Sequence, residues 1–235
     1  GVGALIFEDF RATFPAMGDP SNQLMKVFLV HTAVDLFNPG PDNQTGYGSI
    51  RAIDAIEFMR TGNWEEGVVL DGGVTTYSVD VQPGDPELKI TLAWDDAPGT
   101  PNVSPALVND LDLVVIDPSG NRHYPWTIPL GSPGSPAVKT AEDHLNNIEQ
   151  VQVDNPRDAL RAVAWWSARS KNVATRAARL CLSSCLHIML HTVASTLRAP
   201  PEIRAHAKRP GSRPVGLYIL WNCSLTVGSH QSHPI

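Results

Sequence analysis

Apolar residues over the first 60 positions recur with the 3.6-residue period of amphipathic helices. The apolar positions of a first predicted helix, over residues 2–14, are Leu5, Ile6, Phe10 and Phe14. A second helix is predicted from Asp19, an acidic N-cap followed by a proline, to about Ala33. It is apolar on nearly all sides, so we expect it to be buried. A third is predicted over residues 50–60, with these positions facing inward: Ile50, Ile53, Ala55 or Ile56, and Met59.

After Gly62 the period of the apolar residues changes from 3.6 to 2, which is typical of strands. Strands are predicted over residues 75–81, 88–94 and 111–116, and turn-forming residues separate them. Residues 117–121, DPSGN, predict a hairpin turn, because proline presets φ and glycine accepts positive φ. Helices followed by strands predict an α+β fold, and the strand section is typical of a β-sandwich.

Charge divides the chain into two parts. Residues 1–156 hold 7 lysines and arginines against 22 acidic residues, whereas residues 157–235 hold 11 against 2. The acidic part argues against nucleic acid as a partner, because phosphates would be repelled. The most apolar stretch, residues 180–197, is interrupted by two histidines and several hydroxyl groups, so we expect no membrane partner.

Acidic residues inside the strand pattern of LVNDLDLVVIDPSGNRHY, residues 107–124, are the main candidates for chemistry. Alternate residues of a strand lie on the same face and are about 6.6–7 Å apart. Asp110 and Asp112 should therefore point the same way and repel each other. Carboxylate and amide oxygens suit Ca²⁺. The candidate ligands are Asp95, Asp96, Asp110, Asp112, Asn147 and Glu149. The alternative is a solvated strand face whose acids cap turns or accept backbone N–H groups.

Several stretches resemble one family. EDFRATFP, MKVFLVHTAVDL and GYGSIRAIDAI are similar to the end of the catalytic domain of subtilisin-like serine proteases (subtilases). LKITLAWDDAPG, LVNDLDLVVIDPSGNRHY and NNIEQV resemble the C-terminal, jelly-roll-like β-sandwich of some secreted subtilases. The resemblance implies the helical end of an α/β catalytic domain over residues 1–62 and an antiparallel accessory sandwich over 63–156. It also favours calcium as the cation.

The resemblance implies an enzyme fragment without catalytic residues. The family's catalytic Asp and His, and the Gly-Thr-Ser segment with its nucleophile, have no counterpart here, and proteolysis needs all three groups together. We expect the parent to be a secreted endopeptidase acting on protein or peptide substrates, with its nucleophile upstream of Gly1. The alternatives are a free-standing, non-catalytic, calcium-stabilised β-sandwich binding module and a translated pseudogene.

Residues 157–235 form an atypical basic tail that we expect to be irregular. The family-like sequence stops near Arg157, where acids nearly vanish and Arg, Pro, Trp, Cys and His become frequent. Translation in a shifted reading frame would produce this composition. The last strands of the sandwich would then be missing, which would leave strand edges open. The helices would also lack the parallel sheet they cover in the family, so we expect a poorly folded chain.

Overall fold

The computed structural model describes residues 1–69, 73–82, 84–132 and 134–156, and the backbone alone of residues 161–170, 177–180 and 214–223. The helices are α1 Val2–Thr13, α2 Asn22–His31 and α3 Ala52–Thr61. The strands are β1 Trp64–Val68, β2 Val74–Asp80, β3 Glu87–Trp94, β4 Asn109–Leu111, β5 Val114–Ile116, β6 Arg122–His123, β7 Ile148–Asp154, β8 Arg161–Ser170, β9 Ala177–Leu180 and β10 Pro214–Cys223. Helices followed by mainly antiparallel strands give a small α+β arrangement, as the sequence predicts.

The strands form two sheets. The order in the first is β1-β9-β10-β3-β7, with β1 also paired to β10. The order in the second is β2-β8-β5-β6, and β4 pairs with β8 beside this path. The pairings are antiparallel except for β9 with β10, which run parallel. The hairpin turn predicted at residues 117–121 joins β5 to β6, with Gly120 at a φ of 86°.

One apolar cluster contains side chains from both sheets. Its buried members are Val69, Tyr77, Val79, Val81, Leu88, Ile90, Leu92, Trp94, Leu107, Leu111, Leu113, Val115 and Val151. Alternate residues of β2 and of the segment that carries β4 and β5 enter this cluster, because side chains of a strand alternate between its two faces. Leu107, Leu111, Leu113 and Val115 therefore share the face that enters the core.

The helices pack on one side of the first sheet and form a second apolar cluster. Ile6 and Phe10 of α1 are fully buried there together with Phe28 of α2, and Trp64 of β1 and Ala93 of β3 belong to the same cluster. Our expectation that the apolar helix faces would have nothing to bury against is therefore wrong. The antiparallel sheet supplies the surface that we assigned to a parallel one.

Some details of the helices differ from the prediction. The second helix begins at Asn22, because the Oγ atom of Ser21 accepts the N–H group of Leu24 at 3.2 Å, while Asp19 forms an ion pair with Arg11. Leu5, Ile50 and Ile53 were expected to face inward, but 50% or more of each is exposed. Leu5 and Ile53 lie outside the buried stripes of α1 and α3, and Ile50 precedes α3.

Three strands lie in the tail that we expected to be irregular. The backbone of β10 pairs with β3, and that of β8 pairs with β2 and β5. The expectation is therefore wrong for these segments, which cover the strand edges that we expected to be open.

Candidate metal centre

The centre lies where the predicted strand over residues 111–116 is interrupted. Strand β4 ends at Leu111 and β5 begins at Val114, so the chain leaves the regular ladder at Asp112 and Leu113. Asp110 and Asp112 are only 4% and 2% exposed. The alternative of a solvated strand face therefore does not hold. Two buried carboxylates need hydrogen bonds or a cation, because burial penalises the charged form.

A histidine that we did not single out lies beside both acids. The Nδ1 atom of His144 is 3.2 Å from Oδ1 of Asp110 and 3.2 Å from Oδ1 of Asp112. One ligand atom from each of the three residues lies within 4.8 Å of the others. The side chain of His144 is 41% exposed, so the group opens to solvent on one side. These three residues could hold a metal ion.

Glu149 of β7 lies behind this group and is fully buried. Its Oε2 atom accepts the N–H group of Leu113 at 2.6 Å, whereas Oε1 has no hydrogen-bond partner among the described residues. Burial raises the pKa of the Glu149 carboxyl well above its ordinary value, and the carboxylates of Asp143, Asp112 and Asp110 raise this pKa further against the opposing effect of the Leu113 N–H group. Burial and the neighbouring carboxylates therefore favour the protonated form of Glu149.

The loop before β7 positions His144. Asp143 is 3% exposed, and its Oδ1 atom accepts the N–H group of Leu145 at 2.8 Å. Its Oδ2 atom accepts the side-chain amide of Asn146 at 2.7 Å. This closed turn fixes the backbone on both sides of His144, so the ring is held over the end of β4.

Asp96 stabilises the backbone at the start of β4. Its Oδ2 atom accepts the N–H group of Val108 at 2.7 Å, and Oδ1 accepts the N–H group of Asn109 at 2.9 Å. The side-chain amide of Asn109 donates to the same Oδ1 atom at 2.7 Å. Asp96 therefore matches the alternative interpretation, in which the acids accept backbone N–H groups.

Two further candidates also lie outside the three-residue group. Asp95 is exposed after the end of β3. Asn147 donates its side-chain amide to the carbonyl oxygen of Trp94 at 2.9 Å, which ties the loop to β3. The structure thus brings Asp110 and Asp112 together with His144 and places Glu149 behind them. The signal that could have identified His144 is EDHL, in which a histidine follows two acids directly before the resembling stretch NNIEQV.

No family model matches this chain, and neither does any curated protein. The likeness to subtilases therefore rests on the stretches of sequence quoted above. In the part of the chain that the structure describes, none of the helices combines the length and the apolar character needed to cross a membrane.

Proposed function

We propose that this chain is the C-terminal, non-catalytic part of a secreted subtilisin-like serine endopeptidase. Residues 1–62 would be the end of its catalytic domain and residues 63–156 an accessory β-sandwich. The observation that carries the proposal is the meeting of three distant stretches, LAWDD, LVNDLDL and NNIEQV, in one hydrogen-bonded node. These are the stretches of the strand section that resemble the family.

The node connects β3, β4 and β7 through side chains that each reach a backbone group. Trp94 donates its Nε1–H to the carbonyl oxygen of Asn109 at 3.1 Å, and Asn147 donates to the carbonyl oxygen of Trp94. Glu149 and Asp96 accept backbone N–H groups of the LVNDLDL stretch. Buried backbone groups need such partners. The resembling residues therefore hold segments together, as expected of an accessory region without catalysis.

The shared apolar cluster of the two sheets supports the sandwich. Side chains of β3 and β7 from one sheet meet side chains of β2 and β5 from the other. Two sheets that bury one face each against the other are the basis of a β-sandwich.

The Gly46-Tyr47-Gly48 turn supports the first part of the proposal. Gly48 has a φ of 110°, and a Cβ atom there would overlap the backbone oxygen of Val34. The backbone groups of Val34 and Ser49 bond to each other on either side of this contact. Only glycine fits such a position, and the resemblance to the family includes this Gly-x-Gly turn.

In the parent enzyme, a serine attacks the peptide carbonyl, a histidine moves the proton and an aspartate orients the histidine, while an Asn side chain helps to stabilise the oxyanion. This chain would supply the helices packed behind that nucleophile. A divalent cation at Asp110, Asp112 and His144 would stabilise the accessory region, since it offsets the repulsion between buried carboxylates. The resemblance implies calcium for this role.

Sequencing the transcript upstream of the codon for Gly1 tests the proposal. We expect an in-frame Gly-Thr-Ser segment a few codons upstream, and Asp and His blocks of the family further up. A start codon with a secretory leader and no such segment would show a free-standing binding module, and stop codons would show a pseudogene. The same read shows whether another frame after codon 157 encodes a G-x-[WY]-x-V-x-V strand.

A further inference from the structure

The ligand atoms at the candidate centre include one imidazole nitrogen, and this changes which cation they favour. We infer that Asp110, Asp112 and His144 bind zinc or a zinc-like divalent ion in preference to calcium. The inference concerns the cation of the proposed function and rests on that part of it. The ion would have a structural role, holding the loop before β7 on the end of β4.

The chemistry of the donors separates the two ions. Calcium takes six to eight oxygen ligands and has little affinity for nitrogen. Zinc accepts a mixed set of imidazole nitrogen and carboxylate oxygen, usually with four ligands in all. Asp110, Asp112 and His144 provide one nitrogen and carboxylate oxygens from two side chains, which is a zinc-like set with one position left for water.

The two donor distances that involve His144 match those at a zinc ion. Tetrahedral zinc with bonds of about 2.0–2.1 Å places neighbouring donor atoms about 3.3 Å apart. The Nδ1 atom of His144 is 3.2 Å from an oxygen of Asp110 and 3.2 Å from one of Asp112. Since 41% of the His144 side chain is exposed, solvent can deliver the ion and supply the water.

The other ring nitrogen of His144 faces a carboxylate. Its Nε2 atom lies 3.9 Å from Oε2 of Glu142. A metal ion on Nδ1 would leave the ring proton on Nε2, on the side of Glu142. Metal-bound histidines generally have such an orienting partner.

Glu149 gives an independent indication that a cation belongs here. It is fully buried, and one of its oxygens has no hydrogen-bond partner among the described residues. His144 lies at ion-pair distance from both Asp110 and Asp112. A divalent ion held by these three residues would place positive charge in the same buried region as Glu149.

Metal titration of the whole 235-residue chain, after treatment with chelator, tests the inference. Isothermal titration with Zn²⁺ and with Ca²⁺ in separate runs should show one site, with a Kd at least tenfold lower for zinc. Co²⁺, used as a visible reporter of zinc sites, should give the absorption of a nitrogen- and oxygen-ligated tetrahedral ion, which Zn²⁺ then abolishes and millimolar Ca²⁺ does not.

Variants assign the binding to these residues. His144→Gln should weaken zinc at least tenfold, because loss of even a partner that only orients a ligand costs about 10–100-fold, and it should leave calcium affinity unchanged. His123→Gln is the matched control, since His123 lies beside Asp117 in the hairpin away from this group, and it should change neither affinity. Circular dichroism checks the fold of both. If His144→Gln does not fold, the cobalt spectrum of the unsubstituted chain decides.

Different outcomes separate this inference from the proposed function. Calcium binding as tight as zinc, or undiminished zinc binding by folded His144→Gln, would overturn the zinc preference and leave calcium in its place. If the chain binds no cation at all, the zinc preference and the proposed calcium site are both wrong. Neither result affects the subtilase assignment, which the upstream transcript tests.

Discussion

Two buried polar regions, each containing a histidine, differ in how their polar groups are satisfied. Between α2 and β3, His31 is 3% exposed and its Nδ1 atom lies 2.9 Å from Oγ1 of Thr91. At the end of β4, His144 is half-buried among carboxylates. The first region is formed from neutral groups, whereas the second concentrates negative charge. A neutral region is stable without a ligand, and a charged one needs a counterion.

His31 shares a hydrogen bond with Thr91, whose Oγ1 atom also accepts the side-chain amide of Gln150 at 3.0 Å. The Nε2 atom of His31 has no hydrogen-bond partner among the described residues. Burial, and secondarily the charge of Lys89, hold the pKa of His31 well below its ordinary value of 6.5. This histidine is neutral in the folded chain.

The largest predicted effect is the loss of stability that acid causes through His31 in the first region. The folded state resists protonation of His31 while the unfolded state takes the proton below pH 6.5. Stability is therefore present above pH 6.5 and is lost as the pH falls, by up to about 1.4 kcal/mol per pH unit. The free energy of unfolding should therefore fall as the pH is lowered from 6.5 to 4.5. Urea unfolding at a series of pH values measures it.

His31→Gln isolates this contribution, because glutamine accepts the Thr91 hydroxyl and does not titrate. The variant should be less stable than the unsubstituted chain at pH 7, and the difference should shrink as the pH falls below 6.5. A difference that stays constant from pH 7 to 4.5 would show that His31 is not the titrating group.

A matched pair of tryptophans compares the two regions under the same substitution. Trp94 donates to the carbonyl oxygen of Asn109 beside the acidic centre, and Trp64 donates to that of Met59 beneath the helices at 2.9 Å. Changing either to Phe removes one buried hydrogen bond, so each variant should lose about 1–3 kcal/mol of unfolding free energy. Only Trp94→Phe should also weaken binding of the cation, because Asn109 positions Asp110.

Thermal unfolding with and without Zn²⁺ measures both effects. Trp94→Phe should gain less stability from the ion than the unsubstituted chain, and Trp64→Phe should gain as much. Equal gains in both variants would mean that the hydrogen bond of Trp94 does not control the centre.

Local periodicity made most elements of the fold predictable. The stripe of Ile6 and Phe10 and the alternation of Tyr77, Val79 and Val81 are visible within a few residues, and the structure buries all five. The packing of helices on an antiparallel sheet was missed, because it depends on contacts such as that between His31 and Thr91, 60 positions apart. The tail strands were missed for a related reason: their pairing with β2 and β3 is long-range, and their composition is atypical.

Only part of the centre could be predicted. Asp110 and Asp112 stood out because acids rarely interrupt a strand that supplies core residues. At the break between β4 and β5, the N–H group of Leu113 bonds to the side chain of Glu149, 36 positions along the chain. His144 lies in a loop without periodicity, so its place beside the acids depends on how that loop folds back.

Glu149→Gln should have the smallest effect, and one opposite in sign to that of acid on His31. The pKa of Glu149 is raised, so its contribution to stability is present below its ordinary value of 4.5 and is lost as the pH rises. In chelator at pH 7 the variant should be more stable by about 1 kcal/mol, since removal of the repulsion exceeds the cost of one new buried donor. The exposed Glu57→Gln on α3 is the control and should change nothing. At pH 4 the advantage of Glu149→Gln should vanish. A destabilised variant at pH 7 would instead show that the charge of Glu149 is already balanced without a cation, and the contrast between the two regions would fail.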